Sequence, residues 1–240
     1  GVAQVALNRP SARNALSLSL IHQLHQVIKT LGQDKDVAAI VLSAEGHVFS
    51  SGHDLKELTA RRGDADGGLE FYDTTMKSCA ALMQVQGTAT AAGCQLVATC
   101  DLAVASATAQ FATPGVNIGL FCSTPMVALS RNVSRKRAME MLLLGEMLSA
   151  YDAVAYGLVN RVVPPEQVLE EALGMASIIA AKSKTTVAIG KEAFYRQLEQ
   201  PLHDAYAYAA GVMTRNMMDA DAGEGICAFL EKREPKWQGS

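Results

Sequence analysis

The sequence predicts an α/β fold. Three observations carry that expectation. Within the first 44 residues an apolar run, "VAQVAL" (2–7), leads into a helical pattern and then a second short apolar run, "VAAIVLS" (37–43). Strand, helix and strand in that order make a parallel pair joined by a crossover. From about residue 165 to Trp237 the chain instead carries an almost unbroken helical period. Finally, 240 residues are enough for one well-buried core with appendages.

Taken in order, the first strand covers 2–7. Across 16–32, Leu20, Leu24, Val27, Ile28 and Leu31 share a helical face, Ser17 or Ser19 supplies a cap, and Gly32 supplies a stop. The strand over 37–43 precedes "VFSSGHDLKEL" (48–58), where a buried strand runs into a turn of small residues and then a helix. "RRGDADGG" (61–68) reads as a polar loop, not a domain boundary. A helical stretch over 69–83 then reaches "GTATAAGCQLVATCDLAVAS" (87–106) through only Gln84, Val85 and Gln86. That leaves no room for a strand to feed the glycine turn, so a stretch of chain is expected to be absent between Gln84 and Val85. "RKRAMEMLLLGE" (135–146) predicts a helix stopped near Gly145. Ser149 caps another that runs through Tyr156 to Gly157, and "LVNRVV" (158–163) predicts a strand closed by Pro164 and Pro165. Helices over about 166–182, 184–198 and 202–218 follow. The expected division is a core over 1–164 and a C-terminal helical oligomerisation region over 165–240.

Composition narrows the function classes. Hydrophobic residues make up 49% and aromatics 5%, so the interior is filled mainly by Ala, Val, Leu, Ile and Met. A net charge of −3, with no long run of Lys or Arg, argues against a nucleic-acid footprint or a polybasic membrane anchor. Five cysteines form no CxxC pair and leave one over in any disulfide scheme, which predicts free thiols in a reducing compartment. No uninterrupted apolar run approaches the length of a membrane span.

The chemistry concentrates at two turns. After Phe49, the small residues around Gly52 put unpaired backbone N–H groups at a helix start, where the dipole favours negative charge. That is half an oxyanion hole. The turn "TAAGCQL" (90–96) offers a second donor, from Ala92. Two donors are what an enolate requires. Against this stands the plainer reading that small residues before helices serve close packing. Asp54 reads as a helix cap or turn anchor, and Asp101 as a structural carboxylate ending a strand. His22 and His25 sit three apart on a helix without a matching carboxylate or cysteine, and read as solvated, not as metal ligands. Cys122 and Ser123 in "GLFCSTP" read first as packing and second as a nucleophile. No G-x-S-x-G, HExxH, P-loop or G-x-G-x-x-G is present.

Together these stretches resemble the crotonase, or enoyl-CoA hydratase/isomerase, superfamily over nearly the whole chain. "LNRPSARNALS" (7–17) resembles the family's opening coenzyme A contact, "VFSSGHDLKEL" its first oxyanion turn, "GTATAAGCQLVATCDLAVAS" its second, and "LSAYDAVAYGLVNRVVP" (148–164) its helix-strand closure. The resemblance implies a spiral of β-β-α units with a trailing helical region, assembled as homotrimers or dimers of trimers. It also implies an acyl-CoA or enoyl-CoA thioester as partner, with coenzyme A entering as part of the substrate and no further cofactor. It places the oxyanion amides on His53 and Ala92, the His53 side chain being aimed elsewhere. The pantetheine stretch falls on Gly52, His53, Asp54, Leu55 and Lys56, with Lys56 facing phosphate. Adenine-side contacts fall on Arg13, Asn14, Ala15 and Leu16, and a late aromatic-plus-lysine pair on Phe229 and Lys232, presented to a neighbouring subunit. A bacterial member would be cytoplasmic, and a eukaryotic one would lie in the mitochondrial matrix.

The departures from the family pattern matter most. Its hydratases place two glutamates around one water, because adding water across a conjugated double bond requires one group to take a proton and another to give one. Here the first of those positions is Gln95 and the second is Gly115. Losing acid/base factors of roughly 10²–10⁴ each would reduce hydration severely. Three expectations remain open: an acyl-CoA enzyme of fatty-acid metabolism, an acyl-CoA-binding protein without catalysis, and a scaffold valued for its oligomer.

Overall fold

A computed structural model describes residues 1–66, 68–71 and 87–238. The chain folds as two compact units, Val2–Gly174 and Met175–Ser240.

In the larger unit, β1 (Val2–Leu7) pairs in parallel with β2 (Ala39–Ala44), Val2 opposite Ala39 and Leu7 opposite Ala44. Between them runs α1 (Leu18–Gln33), capped by Ser17, whose hydroxyl accepts from the Leu20 N–H at 3.3 Å. Gly32 does not end this helix. It lies inside the last turn, without the positive φ of a glycine stop, and Asp34 is the C-cap.

A second sheet orders β3 (Val48–Ser50), β4 (Thr88–Thr90), β6 (Gln110–Ala112) and β7 (Leu148–Ser149), parallel except for the β6–β7 pair. β5 (Val104–Ser106) pairs with β8 (Arg161–Val163). Twice the chain passes from a strand of one sheet to a strand of another and then into a helix: β2 and β3 precede helix α2 (Leu55–Ala60), and β5 and β6 precede α4 (Ser123–Asn132). This is the β-β-α spiral.

The strand β4 corrects one expectation. Thr88–Thr90 feeds the glycine turn, so a strand does precede it; three residues suffice because β4 is flanked by β3 and β6 on its two sides. The break expected between Gln84 and Val85 lies outside the described residues. Asp101 is a second correction, since it follows helix α3 (Ala92–Thr99) and not a strand. The strand expected over 158–163 is confined to Arg161–Val163, with Leu158 and Val159 buried in the turn after α6 (Ala150–Tyr156).

The core of this unit is built around Phe49 and Phe111, both 0% exposed, and lined closely by alanines and branched aliphatics. Helix α5 (Arg135–Leu144) stops at Gly145 (φ 62°) and α6 at Gly157 (φ 83°), left-handed positions that suit glycine. Helix α7 (Val168–Ala180) runs past the unit's end.

The C-terminal unit contains α8 (Lys184–Gln197), α9 (Leu202–Met217) and α10 (Ala220–Glu231). Its buried Asp221 accepts a 2.6 Å hydrogen bond from the Ser183 hydroxyl, joining the start of α8 to α10. Among the described residues no helix is long and apolar enough to cross a membrane.

Candidate active site

The parallel strands β3, β4 and β6 lie side by side and end at Ser50, Thr90 and Ala112. The turns leaving those ends carry the candidate residues. Gly52 adopts φ 89°, and a Cβ built on it would stand 3.0 Å from the Ala91 Cβ, 3.1 Å from the Thr90 carbonyl oxygen and 3.4 Å from the Ala92 nitrogen. Only glycine tolerates both that conformation and that approach. The two turns are therefore packed directly on each other.

Ala91 makes the second turn with φ 49° and ψ −116°, while its N–H donates to the Ala112 carbonyl at 2.9 Å. A non-glycine residue in such a region costs of order 1–3 kcal/mol, and that kind of strain concentrates where a backbone group must be aimed. The backbone N–H that follows this turn is that of Ala92, at the start of α3. Gly93 lets the helix come this close: a Cβ there would meet the Ser50 carbonyl oxygen at 2.5 Å.

The His53 amide is left over by a different device. Leu16 and His53 form an isolated parallel bridge, in which the Leu16 N–H donates to the Gly52 carbonyl (2.8 Å) and the Asp54 N–H donates to the Leu16 carbonyl (3.1 Å). The N–H and C=O of His53 itself consequently face away from residue 16. Neither the His53 nor the Ala92 amide donates a hydrogen bond among the described residues. Ala92 is 0% exposed, so an acyl oxygen reaches its nitrogen only by displacing what covers it. The His53 ring is not in solvent: Nε2 is buried without a hydrogen-bond partner among the described residues, and burial lowers the imidazole pKa, which keeps it neutral.

The two positions that the resemblance assigns to carboxylates, Gln95 and Gly115, differ in their surroundings. Gln95 sits on α3 at 4% exposure, an amide of the same length as glutamate. Gly115 is buried, and a Cβ on it would fall 2.6 Å from the Leu120 carbonyl oxygen and 2.9 Å from the Cys122 sulfur. The loop closes over the space that any side chain at this position would enter. Cys122, which the Gly115 backbone hydrogen-bonds, has its pKa raised by burial. Cys94 is pushed up to about 12, first by burial and then by the nearby Cys122. Both are thiols in the folded protein, with no thiolate available as a nucleophile. At the same strand ends Thr113, 0% exposed, carries a hydroxyl with no hydrogen-bond partner among the described residues.

Sequence reasoning missed Arg9. Its guanidinium donates through Nη1 to the Ala15 carbonyl and through Nη2 to Asp54 Oδ2, each at 2.8 Å. Asp54 Oδ1 meanwhile accepts from the Lys56 N–H (3.1 Å) and the Glu57 N–H (3.3 Å), the anchoring cap its position suggested. Burial alone would raise the Asp54 pKa, but the Arg9 hydrogen bond, the two amides and the Arg9 charge together hold it below its ordinary value. The signal for Arg9 was present only as a basic residue next to Pro10, with nothing local to name its partners.

The segment Arg13–Leu16 is brought against the first turn, the Ser51 N–H donating to the Arg13 carbonyl at 3.1 Å. Of its four residues only Arg13 is exposed; Asn14 is 0% exposed and holds the Glu45 and Val48 carbonyls at 2.9 and 2.8 Å. Leu55 and Lys56 are exposed on the first turn of α2. Phe229, 82% exposed, and Lys232, the left-handed C-cap of α10, belong to the C-terminal unit. His22 and His25 are exposed on α1.

With that geometry in place, comparison with known proteins is informative. A family model described as enoyl-CoA hydratase/isomerase matches residues 1–240. The rat enoyl-CoA hydratase domain-containing protein 3, described as mitochondrial, is 48% identical over 249 aligned positions, covering 99% of this chain and 81% of the relative. A probable enoyl-CoA hydratase of Rhizobium meliloti is 35% identical, covering 99% and 94%. Among solved structures, an enoyl-CoA hydratase of Mycobacterium smegmatis superposes with a TM-score of 0.91 at 50% identity, over 98% of this chain and 95% of that one. The human enoyl-CoA hydratase domain-containing protein 3 gives 0.91 at 45%, over 99% and 96%.

Proposed function

The chain belongs to the enoyl-CoA hydratase/isomerase family, and from that premise we propose that it binds acyl-CoA thioesters and polarises their carbonyl between the His53 and Ala92 amides, while ordinary hydration is weak or absent. The observation that carries this is the packing of Gly52 against Ala91 and Ala92, which sets two uncommitted amides on adjoining turns. Once what covers the buried Ala92 amide is displaced, donors held by fixed backbone need no further reorganisation as charge develops on the oxygen, and each is worth about 10²–10³ in rate where an enolate forms. Coenzyme A enters this reading as part of the ligand, and the ligand class fits fatty-acid metabolism.

Hydration is a different matter. The amide of Gln95 can orient water but cannot exchange a proton at neutral pH, and Gly115 has no side chain. Calorimetry with butyryl-CoA should show saturable binding, and crotonyl-CoA should turn over far more slowly than with a two-glutamate relative. Absence of binding to either thioester would overturn the reading. The paired change Gln95→Glu with Gly115→Glu is expected to restore no hydration, because the second side chain must start inside the Leu120 carbonyl. The assembly we propose is a homotrimer or dimer of trimers built through exposed apolar side chains of the C-terminal unit, such as Tyr206 and Phe229. Sedimentation that gives only a 25.4 kDa species would contradict it.

A further inference from the structure

The hydrogen bonds that hold the first turn in register come from one short segment of chain. The Leu16 N–H reaches the Gly52 carbonyl, the Asp54 N–H reaches the Leu16 carbonyl, and the Ser51 N–H reaches the Arg13 carbonyl. The Leu18 N–H, at the start of α1, donates to Glu57 Oε2 on α2 at 3.0 Å. Arg9 spans this seam with its side chain, one branch on the Ala15 carbonyl and the other on Asp54 Oδ2. Its backbone N–H is itself fixed by Asn14 Oδ1 at 2.8 Å. His53 lies between Gly52 and Asp54, so its N–H direction is determined by a peptide whose two neighbours are both tied down.

We propose that Arg9 is a positioning residue for the oxyanion: its planar fork clamps the Ala15 carbonyl to the Asp54 carboxylate, so that the segment Arg13–Leu16 and the turn that aims the His53 amide move as one body. The inference rests on the acyl-CoA reading above and adds to it a coupling. Whatever coenzyme atoms engage Arg13–Leu16, the binding they supply is transmitted through Arg9 to the carbonyl-polarising N–H, and so favours the charged oxygen over mere occupancy. Arginine suits the task because two parallel N–H donors in one rigid plane meet two acceptors at fixed separation; a lysine ammonium offers one point of charge and cannot hold that plane. The Asp54 side chain is 14% exposed and the Arg9 side chain 38%, so water competes poorly for the carboxylate end of the clamp.

The test compares two ligands that differ only at the carbonyl: butyryl-CoA, a thioester, and S-butyl-CoA, the thioether without the oxygen. Calorimetry gives both dissociation constants, and the infrared stretch of ¹³C-carbonyl butyryl-CoA reports polarisation directly. The unaltered protein is expected to prefer the thioester and to shift its carbonyl stretch to lower frequency. Arg9→Met should lose about fivefold to tenfold of that preference, one hydrogen bond's worth. Its carbonyl stretch should return toward the solution value, while the S-butyl-CoA constant stays within about threefold. Arg9→Lys should behave like Arg9→Met. If Arg9→Met does not fold, Asp54→Asn breaks the same clamp with the helix cap retained, and its readout is the carbonyl stretch alone, which should return toward the solution value. A folded variant that keeps both the preference and the shifted stretch overturns the proposal. So does one that loses thioether and thioester equally, since Arg9 would then act on coenzyme binding alone. Should the unaltered protein bind neither ligand, the acyl-CoA reading itself has failed, an outcome distinct from either of these.

Discussion

Gly115 is buried, and its neighbours define what that residue must be. A Cβ at this position meets the Leu120 carbonyl oxygen at 2.6 Å, a separation that the backbone can relieve only by moving the loop. The glycine is thus a packing requirement. Gly115→Ala should destabilise the protein by about 1–3 kcal/mol, read from urea unfolding, by overpacking against a backbone atom. A neutral effect would mean that the loop yields freely. His53 gives a pH prediction of opposite origin. The unfolded chain takes up a proton near pH 6.5, whereas burial lowers the folded pKa, so the folded form binds that proton only at lower pH. The stability contribution is therefore full above about 6.5 and is lost as pH falls from there toward the folded value, at no more than ~1.4 kcal/mol per pH unit. Urea midpoints taken near pH 7.5 and again near pH 5.5 should fall further for the native protein than for His53→Gln. Equal declines would show that another group titrates.

Among the elements, the close approach of α3 to β3 sets the second turn. Gly93 is where that approach happens, with the Ser50 carbonyl 2.5 Å from a would-be Cβ. Gly93→Ala should push the helix start outward, lowering stability by about 1–3 kcal/mol and carrying the Ala92 amide with it. The carbonyl stretch of bound butyryl-CoA should then shift less than in the native protein; an unchanged shift would separate helix position from polarisation. What the sequence reveals at this scale follows from locality. Ser17, Ser149, Gly145 and Gly157 act within their own turns, and each is readable beforehand because the atoms it serves are three or four residues away. The strands "VFS", "TAT" and "QFA" are three residues long and carry no measurable alternation. Reading Thr88–Thr90 as turn is what makes a strand look absent. Arg9 is illegible for a related reason: one acceptor is a backbone carbonyl and the other, on Asp54, lies 45 positions away. Gln95 and Gly115 draw notice in the sequence only through the resemblance, and the closed space at Gly115 exists only in three dimensions.

On the scale of the whole chain, the C-terminal unit secures its own end, and its lone tryptophan can report on that. Arg233 makes paired bonds to Glu224 at 2.6 and 3.0 Å, the Lys236 N–H donates to Glu224 at 2.7 Å, and Trp237 Nε1 donates to the Ala181 carbonyl at 2.8 Å. The indole lies on Gly225, where a Cβ would stand 3.3 Å from two ring carbons. The Arg233 hydrogen bond, followed by the Lys236 amide, lowers the Glu224 pKa to about 2. A carboxylate held that low contributes fully above its ordinary value and loses its contribution only as pH falls toward the folded one. The tail should therefore stay docked through mild acid, and fluorescence from the chain's single Trp should hold its neutral-pH position until strongly acidic conditions. Glu224→Gln removes the charge-assisted pairing with little change in shape, so Trp237 should become redder and more quenchable already at neutral pH, with helix content by circular dichroism unchanged. Identical emission from the two proteins at neutral pH would show that the indole and its Ala181 bond hold the tail without Glu224.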